Sequence, residues 1–426
     1  MKKIFTCLTI LLLFINCSNN LTNNQYAQLK KAYKEHNYFR LNYLMSSLKF
    51  NDKDTELQLY MAKLHYVFNK PAESNVLIDK ILKRNHRNLN DSVVADLYYM
   101  RANNADRLQD YGKAGLDLQV ILEKYSHVYD SSFLEELKDD IQIANALNGV
   151  PKMTIQQDAD VTISLKRDMA GLLNIPVTLA NDSIDFVFDT GANISVIVKS
   201  LANDYGIKIL PGKINVYGFT NKKFESEIGL VDFGIGELKV ENAVFLVLPD
   251  SLLSFANGAY VIRGIVGFPV MNALQELVFE NDQYLTIHKE PESSDLKNFA
   301  LDNLNPVILV QYENDTLPFH FDTGADHTVF FSAFFNKYKD AITKYGKKSR
   351  ITIGGAGGNI EADAYILDSV MIAAGRQRLL LSSVEILTEQ ISHDHEYFYG
   401  NFGQDFIKKF SKMKMNLASM YIVFSD

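Results

Sequence analysis

Two short stretches of this sequence share one order of residues, Asp189-Thr190-Gly191-Ala192 and Asp322-Thr323-Gly324-Ala325. A single aspartate beside glycine is ordinarily a turn or cap residue. Two in the same setting acquire a chemistry if the fold brings them together. Carboxylates a few ångströms apart cannot both ionise cheaply, so they share a proton. Such a pair contains one carboxylate to activate water and one acid to protonate or hydrogen-bond a carbonyl oxygen, which is what amide hydrolysis requires. The proton belongs to the pair, so sequence assigns neither Asp189 nor Asp322 a permanent role.

The surroundings of the motifs repeat as well. Asn181-Asp182 precedes the first and Asn314-Asp315 the second, and in both the turn aspartate lies seven residues before the motif aspartate. Ile265-Val266-Gly267 puts a glycine 78 residues beyond Asp189, and Asn401-Phe402-Gly403 puts one 81 residues beyond Asp322. Each glycine precedes a short helix and a terminal hairpin, ending near residues 285–288 and 421–424. Runs such as Val161, Ile163 and Leu165, alternating with polar residues, predict short strands from residue 151 onward.

Asp-Thr-Gly-Ala followed much later by two residues and glycine resembles the retropepsin-like aspartic peptidases. The stretch Phe321-Asp322-Thr323-Gly324-Ala325-Asp326-His327-Thr328-Val329 is similar to the active-site segment of retroviral proteases. Retropepsins build their cleft from two identical chains and pepsin-like enzymes from two lobes of one chain. This sequence resembles the retropepsin unit fused in tandem over roughly residues 153–426. The resemblance implies that Asp189 and Asp322 are catalytic and that Thr190 and Thr323 interlock the two motif loops through their hydroxyls. It implies that Gly191 and Gly324 turn their amides toward the carboxylates, while Gly267 and Gly403 pack behind the loops. Asp326 matches the family aspartate that receives substrate main-chain N–H groups. Its counterpart Asn193 keeps an acceptor, gains a donor and loses a charge, so the two ends of the cleft should differ. His320 is read as packing support, and His327 as either a cleft-lining or a plain surface residue.

The sequence departs from the family at three places. Asn401 stands where the family is usually apolar, and a buried amide needs partners. Asn193 replaces an aspartate. Neither downstream glycine is followed by the arginine that supports retroviral dimers.

Between each motif and its glycine lies a candidate flap, which the resemblance makes a hairpin that closes over bound peptide. The first contains Tyr217 and Gly218, and the second contains Gly355 and Gly357 within a run of four glycines in five residues. A phosphate-binding loop is the competing reading of that run, but no lysine followed by serine or threonine accompanies it. His393, His395 and Glu396 cluster without a defined metal-site spacing and read as surface. No serine elbow is present. No metal or other cofactor is implied.

Residues 24–147 show helical periodicity. Thr55 with Gln58, and Ser132 with Glu135, suggest helix starts, and Pro71 suits a first helical turn. The paired pattern resembles tetratricopeptide-type (TPR-like) hairpins, although turns near residues 37, 69 and 110 do not keep one period and the chain has no tryptophan. This region reads equally as a helical cap on the enzyme or as a docking surface for a protein partner.

Lys2 and Lys3 precede an apolar run over residues 4–15, the layout of a secretion signal. Phe14-Ile15-Asn16-Cys17 resembles a bacterial lipoprotein signal, with Cys17 the lipidated first mature residue. Secretion without lipid and an uncleaved anchor are the other readings. Cys7 would leave with the signal, and a solitary remaining thiol suits an extracytoplasmic protein without disulfides. The expected location is extracytoplasmic, tethered to a bacterial membrane on its periplasmic side or at the cell surface. The formal charge of −8 and the lack of a basic run give no electrostatic case for nucleic acid.

The expected organisation is multidomain. A signal over 1–17 precedes an all-α, helical-hairpin region over 18–150, then mainly β retropepsin-like lobes over 151–292 and 293–426. The expected function is an aspartic endopeptidase acting on peptide or protein substrates. The alternative is a catalytically inactive, lipid-anchored peptide-binding or scaffold protein using the same cleft.

Overall fold

The computed structural model describes residues 21–426 apart from 49, 85, 218–222, 356–357 and 392–396. Cys17, Gly218, Gly357, His393, His395 and Glu396 therefore lie outside the described residues.

The N-terminal part is helical and the rest is rich in β-sheet. Seven α-helices come first, α1 (Asn23–Lys34), α2 (Tyr38–Ser46), α3 (Thr55–Val67), α4 (Pro71–Arg84), α5 (Asp91–Arg107), α6 (Tyr111–Val120) and α7 (Ser131–Leu147). Pro71 opens α4 as its fixed φ favours. Two helix starts differ from the sequence reading. Asp54 caps α3, accepting from the amides of Glu56 at 3.0 Å and Leu57 at 3.1 Å, and Asp130 caps α7 by accepting from Phe133 N at 2.9 Å. Thr55 and Ser132 already lie inside their helices, whereas a cap must still be extended so that its side chain can reach back to the free amides.

Each β half repeats one arrangement. In the first, the hairpin of Leu173–Leu179 and Asp182–Phe188 leads into the Asp189 loop, after which Ser195–Val198 runs parallel to Leu238–Leu248. The strand Gly264–Val266 then fits between, parallel to Asp182–Phe188 and antiparallel to Ser195–Val198. In the second, the hairpin of Asn305–Tyr312 and Asp315–Phe321 leads into the Asp322 loop, and Val329–Phe330 runs parallel to Gln377–Leu387. Gly400–Phe402 fits between in the same two senses. Ile265 pairs with Val187, and Asn401 with His320, so Ile265 and Asn401 occupy corresponding places.

A third sheet joins the halves. Its order is Val161–Ser164, Tyr284–Ile287, Glu276–Glu280, Lys412–Asn416 and Tyr421–Ser425, all antiparallel, and the Glu276–Glu280 to Lys412–Asn416 pairing crosses from one half to the other. Backbone ladders on both sides of that crossing fix how one motif loop faces the other.

The helices pack on both halves. One continuous apolar core contains Leu41, Tyr60 and Leu97 from the helices together with Phe186 and Phe321 from the two halves. At the turn between α3 and α4, Asn69 donates to Asn272 Oδ1 at 2.7 Å and to Leu417 O at 3.0 Å. Tyr38 and Tyr66 donate to Asp302 and Asn303 of the second half, each at 2.6 Å. The helices also hold the two hairpins that correspond to the flap segments. Phe39 of α2 packs against the cluster containing Ile351, Ala362 and Ala364 in the hairpin of Lys347–Gly355 and Gly358–Ala374. Asp139 of α7 pairs with Lys223 at 2.7 Å and accepts from Asn215 at 3.1 Å in the hairpin of Ile214–Tyr217 and Lys223–Ile235.

Asp139→Ala should therefore speed amide exchange in residues 214–217 and 223–226 while leaving the Lys347–Gly355 hairpin unchanged; equal exchange in parent and variant would contradict the brace. The neighbouring Asp140 has its carboxyl pushed up to about 7 by burial and by the charges of Asp106, Glu136 and Asp139. A raised carboxyl favours the folded state fully below the ordinary carboxylate pKa, and that contribution is lost as pH rises through the folded value. Asp140→Asn, which stays neutral, should raise Tm over the parent at pH 8 and match it near pH 4. A Tm difference independent of pH would contradict this assignment.

Candidate active site

The two motif loops meet at the junction of the halves. Thr190 and Thr323 are fully buried, exchange two hydrogen bonds and make two more across the junction. Thr190 N donates to Thr323 Oγ1 at 3.0 Å and Thr323 N to Thr190 Oγ1 at 2.9 Å. Each hydroxyl then donates onward across the junction, Thr190 to Phe321 O at 2.9 Å and Thr323 to Phe188 O at 2.8 Å. All four bonds cross the junction, so neither loop can shift without stranding buried polar groups of the other.

This lock seats the carboxylates crosswise. Gly191 N donates to Asp189 Oδ1 at 2.7 Å, and Gly324 N to Asp322 Oδ1 at 2.8 Å. A Cβ on Gly191 would stand 2.7 Å from Asp322 Oδ1, and one on Gly324 would stand 2.4 Å from Asp189 Cγ. Each glycine is thus the floor beneath the opposite aspartate. The two carboxyls are thereby seated against each other across the junction. Burial and the Asp322 charge push the Asp189 carboxyl well above the usual carboxylate range, against the N–H groups of Gly191 and Ala192, which favour its ionised form.

Behind the loops, Gly267 N donates to Ser195 Oγ and Gly403 N to Thr328 Oγ1, both at 3.0 Å. A Cβ would reach 2.6 Å from Ala192 O at Gly267 and 2.5 Å from His327 O at Gly403, which requires glycine at both places. The residue after Gly403 is Gln404, whose amide donates to Thr323 O at 2.8 Å. Its oxygen accepts from Arg167 of the first half at 3.1 Å, and Arg167 also pairs with Asp282. An arginine therefore supports the junction, but from a strand distant in sequence. Neither Gln404 nor Arg167 was marked by any motif.

Asp326 accepts from His327 Nδ1 at 2.7 Å, and His327 Nε2 donates to Glu385 at 3.1 Å. Hydrogen bonds to Asp326 and Glu385 push the His327 imidazole up to about 10, so it is charged and tied to the acids rather than turned freely outward. Asp326 is in turn held below the usual carboxylate range by His327. At the corresponding place in the first half Asn193 is exposed. His320 lies against Phe398, ring centroids 4.3 Å apart, and burial pushes its imidazole down to about 4, in keeping with packing rather than proton transfer. The backbone of Tyr217 ends one arm of the first hairpin, opposite Lys223, and Gly355 pairs with Gly358 in the second. Asn401 Nδ2 donates to Asp322 Oδ2 at 2.9 Å, giving the amide its polar partner at the dyad itself.

A family model for aspartyl proteases matches residues 175–270, the segment that carries Asp189, Gly191 and Gly267. The match supports an aspartic-protease relationship at the family level. No curated protein matches the chain. Among solved structures, basic 7S globulin from soybean aligns with a TM-score of 0.39 and 11% identity, covering 63% of this chain and 95% of that one. A crystal structure described as edgp aligns with a TM-score of 0.38 and 11% identity, covering 63% of this chain and 94% of that one. At these scores neither likeness supports an argument about this protein.

Thr323→Val should cost roughly 2 to 6 kcal/mol of stability, because it strands Phe188 O and Thr190 N at about 1 to 3 kcal/mol each. Thr323→Ser should restore most of it in denaturant unfolding. Equal stability of the valine and serine variants would contradict the lock.

Proposed function

We propose that the chain is a tandem, single-chain retropepsin-like aspartic endopeptidase. One observation carries the reading, namely that the locked loops seat Asp189 and Asp322 together, each over the other's motif glycine. A singly protonated pair in that seat can take a proton from water and give one to a peptide carbonyl oxygen in the same step. The two hairpins held by α2 and α7 are the natural covers of the cleft. Asp326 and Asn193 are its unlike binding ends, with Tyr217 and Gly355 in the covering hairpins. The helical region serves this reading as a TPR-like cap. Cys17 is the lipid attachment point, placing the enzyme outside the cytoplasm on a bacterial membrane.

The pH dependence follows from the dyad. At low pH both carboxyls are protonated and no base remains. As pH rises the pair loses one proton and becomes competent, and at higher pH the proton held by the raised Asp189 carboxyl leaves and activity falls. Cleavage should trace a bell whose basic limb lies above the usual carboxylate range.

The test is an unbiased peptide library assayed across pH 3 to 7 with the purified protein and its Asp189→Asn and Asp322→Asn variants. Each substitution should lower cleavage on the order of 10²- to 10⁴-fold while the protein stays folded. Unchanged cleavage in either folded variant would sink the shared-dyad mechanism. Peptide binding without cleavage in the parent would favour the non-enzymatic peptide-binding reading.

A further inference from the structure

The dyad has a near-twofold frame that one residue breaks. The motif-glycine donors match across it, Gly191 to Asp189 at 2.7 Å and Gly324 to Asp322 at 2.8 Å, and the Ala192 N–H also acts on Asp189. The strands behind the aspartates do not match in chemistry. The first half has Ile265 where the second has Asn401, the two being equivalent by register. Isoleucine has no donor. The Asn401 carboxamide donates to Asp322 Oδ2 at 2.9 Å, so both oxygens of Asp322 receive N–H groups from its own half. Asp189 has no such side-chain donor from the corresponding strand.

Resting on the peptidase reading, we infer that Asn401 is a positioning residue that breaks the symmetry of the dyad, placing the shared proton on Asp189 and the negative charge on Asp322. An amide N–H gives a stronger hydrogen bond to an ionised carboxylate than to a neutral acid, so the extra donor favours charge on the oxygen it touches. Asp189, whose counterpart strand carries apolar Ile265 in place of asparagine, is left as the acid. The division sets the order of events. Asp322 takes a proton from water as the water oxygen bonds to the carbonyl carbon, and the Asp189 proton passes to the carbonyl oxygen. Asp322 then returns its proton to the nitrogen as the C–N bond breaks, while Asp189 recovers one from a hydroxyl of the intermediate. One proton remains on the pair throughout. A peptide would consequently be attacked in one preferred orientation across the two halves.

Among the described residues, the titratable group paired with Asn401 in the adjacent strand is His320, on which the charges of Asp302 and Asp322 also act. Val329, on the other side of Asn401, is neutral. The decisive variant is Asn401→Leu, close in shape to asparagine but without the donor. The acidic limb of the kcat/KM profile should move upward by about one pH unit, the size of losing one charge-assisted hydrogen bond. The same shift should appear in a His320→Gln background, assigning it to the dyad. Carboxyl ¹³C NMR of aspartate-labelled protein, parent against Asn401→Leu, should show the lower-titrating dyad carboxyl rising by a similar amount. That readout needs no turnover, so a parent that cleaves nothing but shows the NMR shift removes the peptidase reading and keeps the role of Asn401. No shift, a downward shift, or a shift that disappears with His320→Gln would overturn the inference. Should Asn401→Leu fail to fold, Asn401→Ser, which retains a donor on a shorter side chain, takes its place. It should shift the same limb in the same direction by less, and no movement would overturn the proposal equally.

Discussion

The exchange of hydrogen bonds between Thr190 and Thr323 is the constraint on which the site depends. Two like charges repel, and a loop carrying one of them would relax away from the other if it could. The threonines oppose this by tying each loop to the opposite backbone, and the ties are buried, so breaking them strands polar groups at a cost. With the loops locked, the absence of a side chain at Gly191 and Gly324 lets each carboxylate lie over the opposite loop. Proximity then raises the affinity of the pair for a single proton.

Larger elements transmit rigidity to that lock. The sheet shared between the halves sets their orientation through the Glu276–Glu280 and Lys412–Asn416 pairing, and Arg167 reaches across to Gln404, which holds the Thr323 carbonyl. Part of the helical core is continuous with both halves. Through Asp139 and Phe39 the helices reach the two hairpins. Strain or order introduced in the helices has a direct mechanical route to those hairpins.

Much of the site was legible in the sequence because it is local. Asp-Thr-Gly fixes a turn whose own amide meets its own carboxylate, and Gly267 and Gly403 are recognisable by order along the chain. What escaped depends on contacts that join distant residues. Arg167 and Gln404 are 237 positions apart and belong to no motif. His327 is visible beside Asp326, but its second partner Glu385 lies 58 residues away on another strand. Asn401 showed only as a departure from an apolar preference, and its meaning required knowing that Asp322 Oδ2 lies within reach. The helix starts at Asp54 and Asp130 were missed by one and two residues, because a hydroxyl residue with an acid or amide three places on also fits the first turn of a helix already begun.

The central claim is that Asp189 and Asp322 form one functional unit rather than two separate carboxylates. A double-mutant cycle on peptide cleavage tests it most directly, comparing Asp189→Asn, Asp322→Asn and the double variant. If the pair is a unit, each single substitution lowers kcat/KM about as far as the double one, because half a dyad retains almost nothing to lose. Losses that add, with the double variant falling by the product of the single effects, would contradict the account.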